Sequence, residues 1–218
     1  MNNKINGIIL SGGRSSRMGE DKALLKVGTK TIIEIMIDKL KPFCNEIIIS
    51  ADNVEKYSKF GYKVVPDKFK NSGPLAGIYS SLLESNTERN FVISCDLPLV
   101  SQNVIEKIIN TNSDKEIILP ITDGKYHQLC GVYSKSVLER AKEILRKGEE
   151  EKGRRGEREK GSLKRKTSVK SLLNNYEIEF VDVTSIAKEN EFLNMNSVEE
   201  YQEIYSFLAN KTDQPFKI

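Results

Sequence analysis

A run of glycine, serine and basic residues, Leu10 to Lys22, reads LSGGRSSRMGEDK and follows a short apolar segment. Glycines let the backbone approach a phosphate closely, while serine hydroxyls and main-chain N–H groups can donate to its oxygens. Arg17 can bind two phosphate oxygens at once, and Lys22 supplies a compact positive charge. The run predicts a phosphate-binding loop in which Arg17 and Lys22 stabilise charge during phosphoryl transfer.

This loop departs from two common nucleotide-binding patterns. Walker A needs G-x-x-x-x-G-K-[ST], and the dinucleotide fingerprint needs G-x-G-x-x-G. The alternative interpretation of residues 10–22 is a surface turn with scattered charges. Three basic residues, three serines and three glycines in one segment favour the phosphate loop.

Asp96 is the first candidate for a metal ligand. It follows the apolar run Phe91 to Ser94 and precedes Leu97-Pro98, so its carboxylate is expected at the carboxyl end of a strand. Mg²⁺ usually takes only one or two protein carboxylates and fills its other positions with water and phosphate oxygens. The sequence thus predicts Asp96 as an Mg²⁺ ligand. Capping of the next helix is the alternative role, for which Ser101 is the better candidate.

With residues 23–25, the glycine-rich run resembles the signature of glycosyltransferase-A type nucleotidyltransferases, specifically the molybdenum cofactor guanylyltransferases. The ending Asp21 to Leu25 favours this subfamily, because cytidylyl relatives usually place a proline ahead of the lysine. Three later segments resemble further family blocks in the same order: 66–78, 94–98 and 194–200.

The resemblance implies transfer of GMP from Mg-GTP to the terminal phosphate of molybdopterin or molybdenum cofactor. The products would be the guanine dinucleotide cofactor and pyrophosphate. One alternative is a cytidylyl or other nucleotidyltransferase acting on a phosphorylated small molecule. Another is a non-catalytic GTP-binding module, although Lys22 and Asp96 together argue against one. Molybdoenzyme assembly partners are compatible with this interpretation.

The resemblance also assigns nucleotide contacts. Besides Lys22 and Asp96, it implies nucleotide binding by residues at the ends of the first strands and in the glycine turns: Leu10, Ser11, Gly12, Gly13, Ser50, Asp67 and Gly77. Leu10 and Ser50 would face guanine, and Asp67 and Gly77 would frame the nucleoside. Family members often carry asparagine where this chain has Ser50. A plain turn aspartate is the alternative for Asp67.

Three further residues are candidates for acceptor or metal contacts. Asn194 and Asn196 point the same way if the segment is extended, because side chains alternate along such a chain. Helix capping by Asn196 or Ser197 is the alternative. His127 is the one imidazole in the sequence and opens a strand that the resemblance places beside the acceptor. A purely structural histidine is the alternative there.

Short apolar runs and amphipathic segments must position these residues. The apolar runs, which predict buried strands, are 7–10, 46–50, 63–65, 91–94 and 117–119. Between them lie predicted helices at 31–41, 74–83 and 101–110. A strand at 128–133 and a helix at 135–147 follow, and structure is expected to resume with 167–173, a strand at 177–181 and a helix at 197–208.

This alternation predicts an α/β fold, a three-layer α/β/α sandwich around a mostly parallel, Rossmann-like mixed sheet. The resemblance implies the nucleotide-diphospho-sugar transferase type. We expect residues 1–218 to form one domain, with a mobile charged insertion at 149–166, because 149–161 contain no aliphatic or aromatic side chain. The alternative is a basic lid formed by Arg154, Arg155 and Lys164 to Lys166.

Composition excludes several other classes of protein. The net charge of +3 is that of residues 149–168 alone, so the remainder is neutral and offers no basic face for nucleic acid. No apolar stretch is long enough to span a membrane, and no secretory signal is evident, so we expect a cytoplasmic location. Cys44, Cys95 and Cys130 are too scattered for a zinc cluster or disulfide framework and are expected to pack as small apolar residues.

Overall fold

The computed structural model describes residues 5–12, 21–154 and 168–212. Its strands are β1 (Asn6–Leu10), β2 (Lys26–Val27), β3 (Lys30–Thr31), β4 (Ile47–Ser50), β5 (Lys63–Val65), β6 (Arg89–Ser94), β7 (Ile117–Thr122), β8 (Lys125–Tyr126), β9 (Cys130–Ser134) and β10 (Ile178–Asp182). Its α-helices are α1 (Ile32–Leu40), α2 (Val54–Ser58), α3 (Pro74–Glu84), α4 (Gln102–Ile109), α5 (Leu138–Arg154), α6 (Val169–Leu173) and α7 (Val198–Thr212). None of the helices in these ranges is long and apolar enough to cross a membrane.

Eight strands form one mixed sheet. Their order is β10-β7-β9-β6-β1-β4-β5, with β8 paired to β7, while β2 and β3 form a separate hairpin. Strands β5, β4, β1, β6, β7 and β10 run in one direction, and β9 runs the opposite way between β6 and β7. The prediction of a mostly parallel, mixed sheet is confirmed.

The central strands are buried on both faces, which makes the fold a three-layer sandwich. In β1, β4 and β6, neighbouring apolar residues alternate between two cores, as Ile8 and Ile9 do. Helices α1, α4 and α7 cover the core that contains Ile9, and α3, α5 and α6 cover the core that contains Ile8. The apolar runs of the sequence therefore reflect burial on both sides of the sheet.

Helix starts follow the predicted capping chemistry. Pro74 occupies the first turn of α3, where its missing N–H costs no hydrogen bond. The Ser101 hydroxyl accepts a hydrogen bond from the Val104 N–H at the start of α4. These two residues mark where α3 begins after β5 and where α4 begins after β6.

Helix α5 ends later than the sequence predicts. Residues 149–154 continue α5 as helix, so the helix extends seven residues beyond the predicted end at Lys147. Charged residues with unbranched stems favour helix, which explains why the helix continues into this stretch. The remainder of the predicted insertion, including Arg155 and Lys164 to Lys166, lies outside the described residues.

Candidate functional site

Four neighbouring parallel strands end at the same level of the sheet. Leu10 at the end of β1 pairs with Ser50 of β4 on one side and Ser94 of β6 on the other, and Ser50 pairs with Val65 of β5. The chain segments that follow these strands therefore emerge side by side. Ligands of open α/β sheets bind at this carboxyl edge.

Four of the predicted nucleotide contacts converge beside β4. A Cβ atom placed on Gly77 would lie 2.6 Å from Ser50 Oγ, 3.2 Å from Leu10 Cδ2 and 3.4 Å from Asp67 Oδ1. Any side chain larger than hydrogen at position 77 would displace these groups, so glycine allows α3 to approach the strand ends closely. The Ser50 side chain is buried, and its hydroxyl donates to Asp67 Oδ1 over 3.5 Å.

Asp67 is a half-buried carboxylate with a perturbed acidity. Burial raises the pKa of Asp67 to about 6, and the negative charge of Asp52 adds to the effect. Asp52 also accepts a hydrogen bond from the Asp67 N–H and forms an ion pair with Lys70. The carboxylate is therefore ionised at neutral pH and costly to desolvate, which favours hydrogen-bond donors in its surroundings.

The glycine-rich run is described at its two ends. The Ser11 N–H donates to the Ser50 carbonyl oxygen at 2.8 Å, so this amide is already paired. Among the described residues, a Cβ on Gly12 would come within 4 Å of the Ser50 carbonyl oxygen alone, at 3.9 Å. Gly13 and Arg17, both predicted to bind the nucleotide or stabilise its charge, lie outside the described residues.

Lys22 lies at the start of a 3-10 turn, Lys22–Leu24, where the described chain resumes. Its ammonium group donates to the Met195 carbonyl oxygen at 2.5 Å and to Asn196 Oδ1 at 3.3 Å. The Met195 N–H in turn donates to the Asp96 carbonyl oxygen at 2.9 Å. One short segment thus joins Lys22 to Asp96, although 74 positions separate them in the sequence.

The Asp96 carboxylate is largely withdrawn from solvent at the end of β6. Burial raises its pKa, whereas the positive charge of Lys22 acts in the opposite direction. Its Oδ1 atom is buried and has no hydrogen-bond partner among the described residues. Ser101 caps α4, so the alternative role of Asp96 as that helix cap is wrong. An unpaired buried carboxylate oxygen fits a cation ligand.

The segment before α7 both caps that helix and contacts Lys22. Ser197 and Glu200 form a reciprocal cap, since the Glu200 N–H donates to Ser197 Oγ and the Ser197 N–H donates to Glu200 Oε2. Asn196 is exposed and reaches Lys22. Asn194 is also exposed. The two asparagine amides are therefore available at the surface near Asp96.

The chain that leads from His127 into β9 passes the end of β6, because the Ser94 N–H donates to the Leu129 carbonyl oxygen. The His127 N–H donates to the Pro120 carbonyl oxygen of β7 at 3.1 Å. Its ring stacks on Phe192 with centroids 3.7 Å apart and planes inclined by 11°. Its Nε2 atom lies 2.7 Å from Thr122 Oγ1. Burial lowers the pKa of His127 and favours the neutral imidazole.

Sequence reasoning missed two contacts that hold this site together. Tyr57 donates from its hydroxyl to Asp21 Oδ1 at 2.9 Å, next to Lys22. Phe192 supplies the surface on which His127 stacks. Asp21 was recognisable as a cap residue ahead of the 3-10 turn. Nothing in the local pattern around Tyr57 or Phe192 indicates a partner so distant in the sequence.

The three cysteines pack as small apolar residues, as predicted. Cys95 and Cys130 are buried in one apolar core, and Cys44 packs against it. Burial raises the pKa of the Cys95 thiol to about 12, so the thiol next to Asp96 is protonated at neutral pH. Among the described residues there is also no cluster of three or more His, Cys, Asp or Glu side chains that could hold a metal.

Comparison with known proteins assigns the chain to a family. A profile of the MobA-like NTP transferase domain matches residues 7–162, which is most of the chain. The chain belongs to this family. As a MobA-like protein it is a nucleotidyltransferase, an enzyme that uses a nucleoside triphosphate as substrate. This agrees with a site that contains a lysine and a buried carboxylate at the carboxyl edge of the sheet.

Individual relatives cover most of this MobA-like chain. A probable molybdenum cofactor guanylyltransferase from Clostridium perfringens (strain 13 / Type A) is 34% identical over 204 residues, covering 92% of this chain and 96% of the relative. A relative of the same name from Carboxydothermus hydrogenoformans is 37% identical over 129 residues, covering 59% of this chain and 65% of the relative, just under two thirds of its length.

The solved structures agree with the fold. Molybdopterin-guanine dinucleotide biosynthesis protein A from Archaeoglobus fulgidus superposes with a TM-score of 0.74 at 18% identity, covering 94% of this chain and 100% of that one. At this identity the likeness establishes the fold alone.

Proposed function

We propose that the protein is a molybdenum cofactor guanylyltransferase, which transfers GMP from GTP to the terminal phosphate of molybdopterin or molybdenum cofactor and releases pyrophosphate. One observation carries the site assignment. Lys22 and Asp96 are joined through Met195, whose carbonyl oxygen accepts from Lys22 and whose N–H donates to the Asp96 carbonyl oxygen. A cation and a carboxylate held together at this edge suit a triphosphate with its metal.

The nucleoside is assigned to the cluster beside β4. The ionised Asp67 carboxylate would accept hydrogen bonds from the base or ribose, and Ser50 would hold that carboxylate in place. Gly77 would let α3 approach closely enough to keep Ser50 and Asp67 together at the nucleoside, and Leu10 would contribute main-chain groups. The Leu10 carbonyl oxygen already accepts from the Cys95 N–H, which leaves one lone pair for a base.

The triphosphate is assigned to the glycine-rich run. Ser11, Gly12 and Gly13 would approach its oxygens, and Arg17 and Lys22 would provide positive charge. Glycine at position 12 carries no side chain, which supports a close approach of phosphate to the backbone at that point.

Mg²⁺ is the proposed metal, with Asp96 as its ligand. The buried Oδ1 of Asp96, unpaired among the described residues, suits a hard cation. A single protein carboxylate is enough because phosphate oxygens and water can fill the remaining positions of Mg²⁺. When bound, the metal would neutralise charge on the triphosphate.

The chemistry needs positioning and charge stabilisation. An oxygen of the acceptor phosphate forms a bond to the α-phosphorus of GTP, and the bond from that phosphorus to the bridging oxygen of the β-phosphate breaks, releasing pyrophosphate. The attacking phosphate is already ionised at neutral pH, so no general base is required. Lys22 and Arg17 stabilise the charge that develops on the phosphoryl oxygens.

Acceptor contacts are proposed for His127, Asn194 and Asn196. Nε2 of the neutral His127 ring already contacts Thr122 Oγ1, so a hydrogen bond to the acceptor would use Nδ1, and stacking on Phe192 fixes the plane of the ring. Asn194 and Asn196 present exposed amides close to Asp96, where an acceptor phosphate must arrive.

The proposal is tested with GTP labelled at its α-phosphorus and molybdopterin as acceptor. We expect the label to enter a dinucleotide product in a metal-dependent reaction. Asp96→Ala removes the proposed ligand and should reduce this transfer by at least ~10³-fold. The control is Asp114→Ala, which removes an exposed carboxylate ahead of β7, at the opposite edge of the sheet. Near-normal transfer by Asp96→Ala would contradict the metal-ligand assignment.

A further inference from the structure

Tyr57 is a polar side chain without a role in the chemistry described so far. It belongs to α2, and only 1% of its surface is exposed. Its ring packs in the same apolar core as the residues of α1 and lies 6.2 Å from the ring of Phe60, measured between centroids. A buried tyrosine hydroxyl needs a hydrogen-bond partner, and here the partner is Asp21 Oδ1 at 2.9 Å.

Asp21 connects this hydroxyl to the turn that carries Lys22. The same Oδ1 atom accepts from the Ala23 N–H at 3.3 Å, which caps the 3-10 turn. The other carboxylate oxygen lies 3.9 Å from the Lys56 ammonium group, also on α2. Lys56 and Tyr57, which are consecutive in α2, therefore both contact Asp21, the residue that caps the turn. The contact from Tyr57 is the shorter of the two.

Contacts thus hold both the main chain and the ammonium group of Lys22. Its main chain begins the turn that Asp21 caps, and its ammonium group lies against Met195 and Asn196. A lysine side chain has four rotatable bonds, so the ammonium can meet a phosphate oxygen reproducibly only if its Cα is fixed. Without the Tyr57 bond, Asp21 would keep Lys56 as its contact on α2, at a distance too long for a hydrogen bond.

We propose that Tyr57 is a positioning residue for the reaction, which acts through Asp21 to place Lys22 against the triphosphate. Tyr57 does not itself touch the substrate. The inference rests on the proposed function, in which Lys22 stabilises the transferring phosphoryl group. It assigns α2, which contributes none of the predicted site residues, a part in setting the geometry of the catalytic lysine.

Tyr57→Phe removes the hydroxyl and keeps the buried ring. We expect kcat for GMP transfer to fall about tenfold while KM for GTP changes less than twofold, because a misplaced charge is lost mainly from the transition state. The measurement is steady-state kinetics well below the unfolding temperature of each variant. The matched control is Tyr201→Phe, which loses a hydroxyl bond to the Lys26 carbonyl oxygen and leaves the bond from Tyr57 to Asp21 intact. Its kcat should remain unchanged.

A double-mutant cycle tests the route through Asp21. Asp21→Ala should lower kcat at least as much as Tyr57→Phe does, and adding Tyr57→Phe to it should cause no further loss. A second tenfold loss in that background would overturn the proposal, as would normal kcat in Tyr57→Phe alone. Failure of the unmodified protein to transfer GMP is a separate result, which would overturn the proposed function as well.

Discussion

At the scale of single residues, Asp67 combines an assigned role with an unusual acidity. Burial raises its pKa to about 6, whereas an aspartate in an unfolded chain titrates near ~4. Between these values the folded chain holds a proton that the unfolded chain has released. The folded state therefore loses stability as pH rises through this interval.

Asp67→Asn removes this titration. We expect the substitution to raise the free energy of unfolding at neutral pH by about 1 kcal/mol, reduced from the full linkage value because the carboxyl is partly exposed. The gain should disappear below about pH 4, where the carboxyl is protonated in both states. Chemical denaturation across this pH range measures it, with the exposed Asp114→Asn as control. A gain that is constant with pH would show that the ionisation of Asp67 is not its cause.

At the scale of elements, the chain between β10 and α7 connects parts of the site. Glu191 in this chain is 3% exposed, and its Oε2 accepts from the N–H and the hydroxyl of Ser101 at the start of α4. A carboxylate at a helix amino terminus is also favoured by the helix dipole. Glu191 thereby anchors a segment that supplies Phe192 to His127 and Met195 to Lys22.

Glu191→Ala leaves two donors of Ser101 without this partner. We expect a loss of about 2 kcal/mol in the free energy of unfolding and faster amide hydrogen exchange across residues 184–197. Glu189→Ala, at an exposed position of the same segment, should change stability by less than ~0.5 kcal/mol. Equal effects of the two substitutions would refute the anchoring role.

Sequence reasoning predicts the elements better than the contacts between them. The strand Lys63–Val65 has the predicted bounds, and Pro74 and Ser101 mark helix starts, because these signals are local. The proximity of Ser50 and Asp67 also follows from the sequence, because the carboxyl ends of neighbouring parallel strands lie side by side. The bond from Tyr57 to Asp21 depends on how α2 packs, which no local pattern specifies.

At the scale of the whole molecule, the proposed architecture is one domain interrupted by a charged insertion. Residues 155–161 carry no aliphatic or aromatic side chain that could contribute to a core. Replacing them with a Gly/Ser linker of equal length should change the free energy of unfolding by less than ~0.5 kcal/mol and leave KM for GTP unchanged. Leu172→Ala, in the fully buried part of α6, should instead cost about 2–5 kcal/mol.

The linker removes only Arg155 of the five basic residues in the proposed lid, so a second variant that also replaces Arg154 and Lys164 to Lys166 separates the two interpretations of the insertion. Denaturation and GTP kinetics are measured on both variants. A strong rise in KM for GTP would favour the basic lid over the mobile loop. A large loss of stability would show that the segment packs against the domain.

The most direct test of the whole account is pyrophosphate release by the purified protein with Mg²⁺, molybdopterin and each of GTP, CTP, UTP and ATP in turn. We predict release that requires the acceptor and occurs with GTP. Release with CTP instead would keep the nucleotidyltransferase chemistry and contradict the choice of guanine, and no release with any nucleotide would contradict the proposed acceptor.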